Sequence, residues 1–140
     1  MKIKEIQEEI IEEFSMFDDW EERYQYMIDL GKTLPLIDEQ YKTESNIIKG
    51  CQSKVWVHAE MNDDKVVFTA DSEAIITKGI IAILIRVFSD QHPKDIIDAD
   101  TSFIDEIGLK EHLSPTRANG LVSMIKQLKM YAIAYQTQLN

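Results

Sequence analysis

Val55-Trp56-Val57-His58-Ala59-Glu60-Met61-Asn62-Asp63-Asp64-Lys65-Val66-Val67-Phe68-Thr69-Ala70 is the stretch that decides the fold. Val55, Val57 and Ala59 alternate with Lys54, Trp56, His58 and Glu60, the two-residue period of a strand with one face buried. Asn62-Asp63-Asp64 has turn chemistry, and from Lys65 the alternation resumes with Val66 and Phe68 on one side. The stretch is therefore predicted to be a β-hairpin. Upstream, Asn46-Ile47-Ile48-Lys49 reads as a further strand, joined to the Val55 strand by a short turn at Gly50-Cys51-Gln52. Downstream, Asp71 and Ser72 are good helix caps, and Glu73–Phe88 is apolar almost all round. Its length and caps predict a helix buried against the sheet. Gly79 inside it offers a place for close backbone approach.

Helices are expected on both flanks of this centre. Ile3, Ile6, Ile10 and Phe14 share one helical face, while Glu5, Glu8, Glu9, Glu12 and Glu13 point elsewhere. A second helix follows Asp18 or Asp19, either of which can cap it; Glu21 and Glu22 sit in its first turn and Gly31 supplies a stop. Short helices are expected between about 93 and 113 from Pro93 and Gly108. The last helix opens on Ser114-Pro115, a capping residue followed by proline at the first helical position. Leu121, Met124, Ile125, Leu128, Tyr131, Ala132 and Tyr135 mark its apolar face. The fold class is α+β, a small antiparallel sheet covered by helices, with residues 1–140 forming a single domain.

Charge narrows the function. The chain carries 25 acidic and 15 basic residues, a net −10, which argues against nucleic acid, whose phosphates call for clustered Lys and Arg. The same balance argues against an anionic membrane surface. The longest apolar run, Ile80 to Ile85, is far short of the roughly 20 residues a membrane span needs. With no secretory signal at the N-terminus, a cytoplasmic location is expected. The distribution is uneven: Ser114 to Asn140 contains Arg117, Lys126 and Lys129 and no acid.

The chain has one cysteine, Cys51, which excludes an internal disulfide and any multi-thiolate zinc or iron–sulfur site within one chain. Cys51 lies in a predicted turn, between Gly50 and Gln52, rather than in an apolar run. A structural free cysteine behaves as a small buried hydrophobe. A reactive one needs an approachable thiolate and nearby positive charge, for which Lys49 and Lys54 are close in sequence. Position alone leaves both readings open. No second thiol exists to resolve an oxidised Cys51, so thiol exchange must involve another molecule. His58, His92 and His112 are the only histidines available to a Cys-His pair.

Asn46-Ile47-Ile48-Lys49-Gly50-Cys51-Gln52-Ser53-Lys54-Val55-Trp56 resembles the SufE family of sulfur-acceptor proteins, through Gly-Cys-Gln-Ser followed by Val-Trp. Other blocks agree in order and spacing: Asp19-Trp20-Glu21-Glu22-Arg23-Tyr24 with Leu30-Gly31 and Leu34-Pro35; Asp71-Ser72-Glu73-Ala74 with Lys78-Gly79; and His112-Leu113-Ser114-Pro115-Thr116-Arg117 with Gly120-Leu121. The resemblance implies a fold similar to that of IscU-type scaffolds. It implies that Cys51 takes persulfide sulfur from a cysteine desulfurase of SufS type, stimulates that enzyme, and passes sulfur to an iron–sulfur scaffold complex. It places Gly50, Gln52, Glu73 and Arg117 toward the desulfurase, with an intramolecular salt bridge as the alternative role for Arg117. The chain needs no cofactor in this scheme, because pyridoxal phosphate belongs to the desulfurase. A homodimer stays open, and no turnover is expected without the desulfurase.

Two other readings compete. An IscU-type cluster scaffold relies on three cysteines where this chain has one. A stand-alone thiol enzyme predicts turnover without any partner.

Overall fold

The computed structural model describes residues 1–139. At its centre is the hairpin, β1 (Val55–Asn62) and β2 (Lys65–Ser72), antiparallel and in register from Val55 opposite Ser72 to Asn62 opposite Lys65. Asp63 turns the corner with φ 58°, a left-handed conformation that Asp tolerates better than most residues. Val57 faces Ala70 and Ala59 faces Phe68, so the predicted apolar positions of both strands fall on one buried side. These are the two strands of an α+β fold with seven helices among the described residues.

The expected strand at Asn46–Lys49 is reduced to one bridge, Ile47 opposite Trp56, with Ile48 N–H donating to Val55 O at 2.8 Å. Two local features explain the shortfall. Asn46 ends a 3-10 turn and donates its amide to Tyr41 O at 2.7 Å. Gly50 takes φ +95° and turns the chain away from the sheet. The far side of β2 is met by Leu36, bridged to Ala70, and by Gln91, bridged to Val66.

Helix α1 (Ile3–Ser15) buries Ile3, Gln7, Ile10 and Phe14, and α2 (Trp20–Gly31) is capped by Asp19, which accepts from Glu22 N–H at 2.9 Å. The buried helix, α3 (Ile75–Phe88), packs on β2 and against α1 and α2. It begins two residues later than the sequence suggests, because β2 runs through Asp71 and Ser72. Asp71 is not a cap: its carboxylate stands 2.8 Å from Lys42 Nζ and 3.3 Å from Lys78 Nζ. Ser72 Oγ donates to Lys54 O and accepts from Ala74 N–H.

Gly31 ends α2 as expected and has a second use besides. It is the last residue of α2 and packs on Gly79 of α3, where a Cβ added to Gly31 would lie 3.1 Å from Gly79 N. The close approach expected at Gly79 is thus a helix–helix crossing. Beside it, Arg86 of α3 donates to Glu13 at 2.8 Å and to Glu9 at 2.9 Å, and Tyr26 of α2 donates to Glu13. Arg86 holds the Glu13 carboxyl below its usual range, while burial and Glu13 push Tyr26 up to about 12. A lowered carboxyl pKa means that this contribution to stability is present above the unfolded value and is lost as pH falls through the folded one.

The expected short helices are α4 (Pro93–Asp98), α5 (Phe103–Glu106) and α6 (Leu109–His112). Helix α7 (Pro115–Leu139) starts where Ser114 Oγ accepts from Arg117 N–H at 3.3 Å. Its buried residues are Gly120, Leu121, Met124, Leu128 and Ala132; the helix packs on α4 and α3, and Gly120 and Met124 of its N-terminal half reach the Cys51 loop.

Candidate functional site

Cys51 is half-buried in the loop between the Ile47 bridge and β1. The loop reaches α7 through two small residues. A Cβ on Gly50 would lie 2.5 Å from Ser123 Oγ, and its φ of +95° is one that side-chain-bearing residues rarely adopt. A Cβ on Gly120 would lie 3.4 Å from Cys51 Sγ, so the sulfur rests on a bare patch of helix. Cys51 Sγ–H donates to Gly120 O at 3.7 Å.

Beside the thiol is a hollow of ≈ 10 Å³, lined by Cys51, Gln52, Ser53, Thr77, Ile80, Thr116, Arg117, Gly120 and Met124. That is room for about one water-sized body. A far larger open groove, ≈ 850 Å³ between α1 and the α4–α5 segment, has no thiol or histidine on its walls. The one thiol of the chain lies at the smaller feature.

Of the residues singled out from sequence, Cys51, Gln52 and Arg117 meet at this hollow, and Gly50 precedes Cys51 with its backbone against Ser123 of α7. Glu73 does not line it. Glu73 is exposed, two residues before α3, with its N–H donating to Lys54 O at 3.2 Å. Arg117 has no carboxylate partner among the described residues, so the intramolecular salt bridge considered for it does not form here. Sequence reasoning missed Thr77, Ile80, Thr116 and Met124. The signal was present but general: Thr116, Gly120 and Met124 are four apart on α7, and Thr77 and Ile80 three apart on α3, as residues sharing a helix face must be.

The electrostatics suit a resting thiol. Burial pushes the Cys51 pKa up, and a carbonyl acceptor favours the protonated form. Lys49 and Lys54, close in sequence, do not line the hollow. None of the three histidines does either. His58 is stacked on Tyr41 and lies 2.9 Å from Glu60, His92 caps α4 through Nδ1, and His112 is stacked on Trp20. Among the described residues, no histidine or carboxylate lines the Cys51 hollow to take its proton.

Alkylation reads this setting directly. Iodoacetamide should modify folded Cys51 several-fold more slowly at pH 7 than the same thiol in urea, with the pH midpoint of the rate moved upward. Equal rates in the two states would contradict the resting geometry. The sign for stability is that of a raised acid pKa: the contribution is complete below the unfolded thiol value and is lost as pH rises through the folded one.

Residues 8–132 match the family described as the SufE Fe-S metabolism associated domain. The chain belongs to the SufE family. An uncharacterised SufE-like protein of Rhizobium meliloti (strain 1021) is 42% identical over 130 residues, covering 89% of this chain and 93% of its own length. Another from Rhizobium etli is 39% identical over 127 residues, covering 87% and 86%. The solution structure of a hypothetical protein from Thermus thermophilus superposes with a TM-score of 0.79 at 21% identity, over 94% of this chain and 96% of that one. At that identity the likeness speaks for the fold alone. The SufE membership places the role of this chain in iron–sulfur metabolism. Among the described residues no helix is long and apolar enough to cross a membrane.

Proposed function

We propose that Cys51 is the sulfur acceptor for a cysteine desulfurase of SufS type and delivers that sulfur to an iron–sulfur scaffold complex. The observation that carries the reading is the setting of the lone thiol. Its Sγ–H rests on Gly120 O of α7, burial pushes its pKa up, and the residue before it, Gly50, has a left-handed backbone. Such a thiol is quiet alone and becomes a nucleophile when a partner draws the loop from its burial.

The transfer step balances without an added oxidant. Cys51 thiolate attacks the terminal sulfur of the desulfurase persulfide. A new S–S bond forms to Cys51 Sγ, the desulfurase S–S bond breaks, and its electron pair leaves on the desulfurase thiolate. The proton lost by Cys51 goes to solvent or to a base on the partner. Pyridoxal phosphate acts on the desulfurase, upstream of this step.

Gln52 and Arg117 flank the thiol, and the proposed docking face extends from them to exposed Glu73, outside the hollow near the start of α3. Arg117, without a carboxylate of its own, is suited to a bidentate pair with one on the partner.

Incubation with a desulfurase and L-cysteine, followed by intact mass measured without reductant, tests the reading. The expected result is a gain of one sulfur and faster desulfurase turnover. No gain with any of several desulfurases would overturn it. Turnover of a thiol substrate by the protein alone would favour a stand-alone enzyme instead.

A further inference from the structure

Of the polar side chains around the Cys51 hollow, Thr77 alone is buried, at 6% exposure. Its hydroxyl has no hydrogen-bond partner among the described residues. A helical threonine ordinarily points to solvent or bonds back to the carbonyl one turn earlier, as Thr137 does to Ile133 O. The Thr77 residue is buried, but its hydroxyl oxygen is not sealed off, and Thr77 lines a space that fits one more atom beyond the thiol.

We propose that the Thr77 hydroxyl donates a hydrogen bond to the terminal sulfur of a Cys51 persulfide seated in this hollow. The inference rests on the reading of Cys51 as a sulfur acceptor. The terminal sulfur of a persulfide carries the negative charge, one atom further out than the thiol it replaces. The resting Sγ–H is already used on Gly120 O, so the donors on the opposite wall serve no purpose for the thiol. They suit an anion. Thr77 stands in the first turn of α3, whose N-terminal end carries the positive pole of the helix and no side-chain cap. Arg117 adds a positive charge from the first turn of α7. Ile80 and Met124, both buried, close the apolar part of the wall.

The test loads Cys51 without a desulfurase. With inorganic polysulfide, Cys51 thiolate attacks one sulfur of the chain, an S–S bond forms, and a polysulfide shorter by one sulfur leaves. Cyanide then removes the terminal sulfur as thiocyanate and returns the Cys51 thiolate, a decay followed by intact mass. Thr77→Val, which keeps the branched shape without the hydroxyl, should lose its sulfur about 10-fold faster than wild type, the scale of one hydrogen bond to a charged group. Thr77→Ser should restore the slow decay. Alkylation of the unmodified thiol should be the same in all three.

Equal decay in wild type and Thr77→Val would overturn the proposal. So would a fast decay shared by Thr77→Ser, or a Thr77→Val effect that equally speeds alkylation of the bare thiol, because either marks a packing change. Because the loading is chemical, a stable Thr77-dependent persulfide in a protein that no desulfurase can load would sink the functional reading while leaving this one standing.

Discussion

Cys51→Ser is expected to take up no sulfur from a desulfurase and L-cysteine, with the intact mass unchanged under conditions that add one sulfur to wild type. The chain holds one thiol, so no other side chain can form the S–S bond that the transfer requires. A serine hydroxyl does not ionise near neutral pH, and an oxygen nucleophile would have to make an O–S bond in place of an S–S bond. The substitution is structurally mild. Serine fits where cysteine fits, and its hydroxyl can donate to Gly120 O as the thiol does. Stability should therefore stay within about 1 kcal/mol of wild type. Desulfurase turnover, read in the same tubes, separates two sources of stimulation. If uptake of sulfur drives it, Cys51→Ser stimulates nothing. If docking of the face around Gln52 and Arg117 suffices, stimulation survives without any mass gain. A sulfur gained by Cys51→Ser would place the acceptor elsewhere and end the reading.

The parts of this fold that the sequence announces are those whose signals are local. Alternation of Val55, Val57 and Ala59 with polar neighbours needs no tertiary knowledge, and the observed register follows it. Asp19 and Ser114 act as the caps their positions suggest. The misreadings arise where a local signal had two uses. Asp71 can cap a helix or pair with a cation, and two lysines nearby in space, Lys42 and Lys78, decide the matter. Gly31 does end α2 as expected, and the sequence leaves out only its second use, the close approach to Gly79. Asn46–Lys49 has the composition of a strand, yet Gly50 bends the chain after a single bridge. For the site, the one-thiol count and the turn position of Cys51 were legible, while its partner came only through the resemblance. The hollow was not legible, because Thr77 and Thr116 sit 39 positions apart on two helices that only packing brings together.

Gly79→Ala should be the most damaging single-methyl change to the fold. In an ordinary helix interior this substitution gains about 1 kcal/mol from propensity. Here the new Cβ would lie 2.4 Å from Met27 O and 2.9 Å from Met27 C, backbone atoms that cannot rotate aside. Helices α2 and α3 would have to separate, loosening Gly31 against Gly79 and the Arg86 bonds to Glu9 and Glu13. Overpacking of this kind costs about 1–3 kcal/mol or more, enough to outweigh the propensity gain. Net of the propensity gain, a thermal midpoint lower by up to about 7 °C is expected for a chain of this size. Gly120→Ala is the matched control, since it too lies inside a helix but its Cβ would meet Cys51 Sγ at an ordinary 3.4 Å. Its midpoint should hold or rise. Should Gly79→Ala also hold or rise, the backbone contact between α2 and α3 is wider than described. The crossing also bears on function, because Gly79 lies between Thr77 and Ile80, both on the wall of the Cys51 hollow. A displaced α3 opens that wall, so Gly79→Ala should alkylate faster at Cys51 even at temperatures where it remains folded. A destabilised variant with an unchanged alkylation rate would show that the crossing supports the fold without shaping the site.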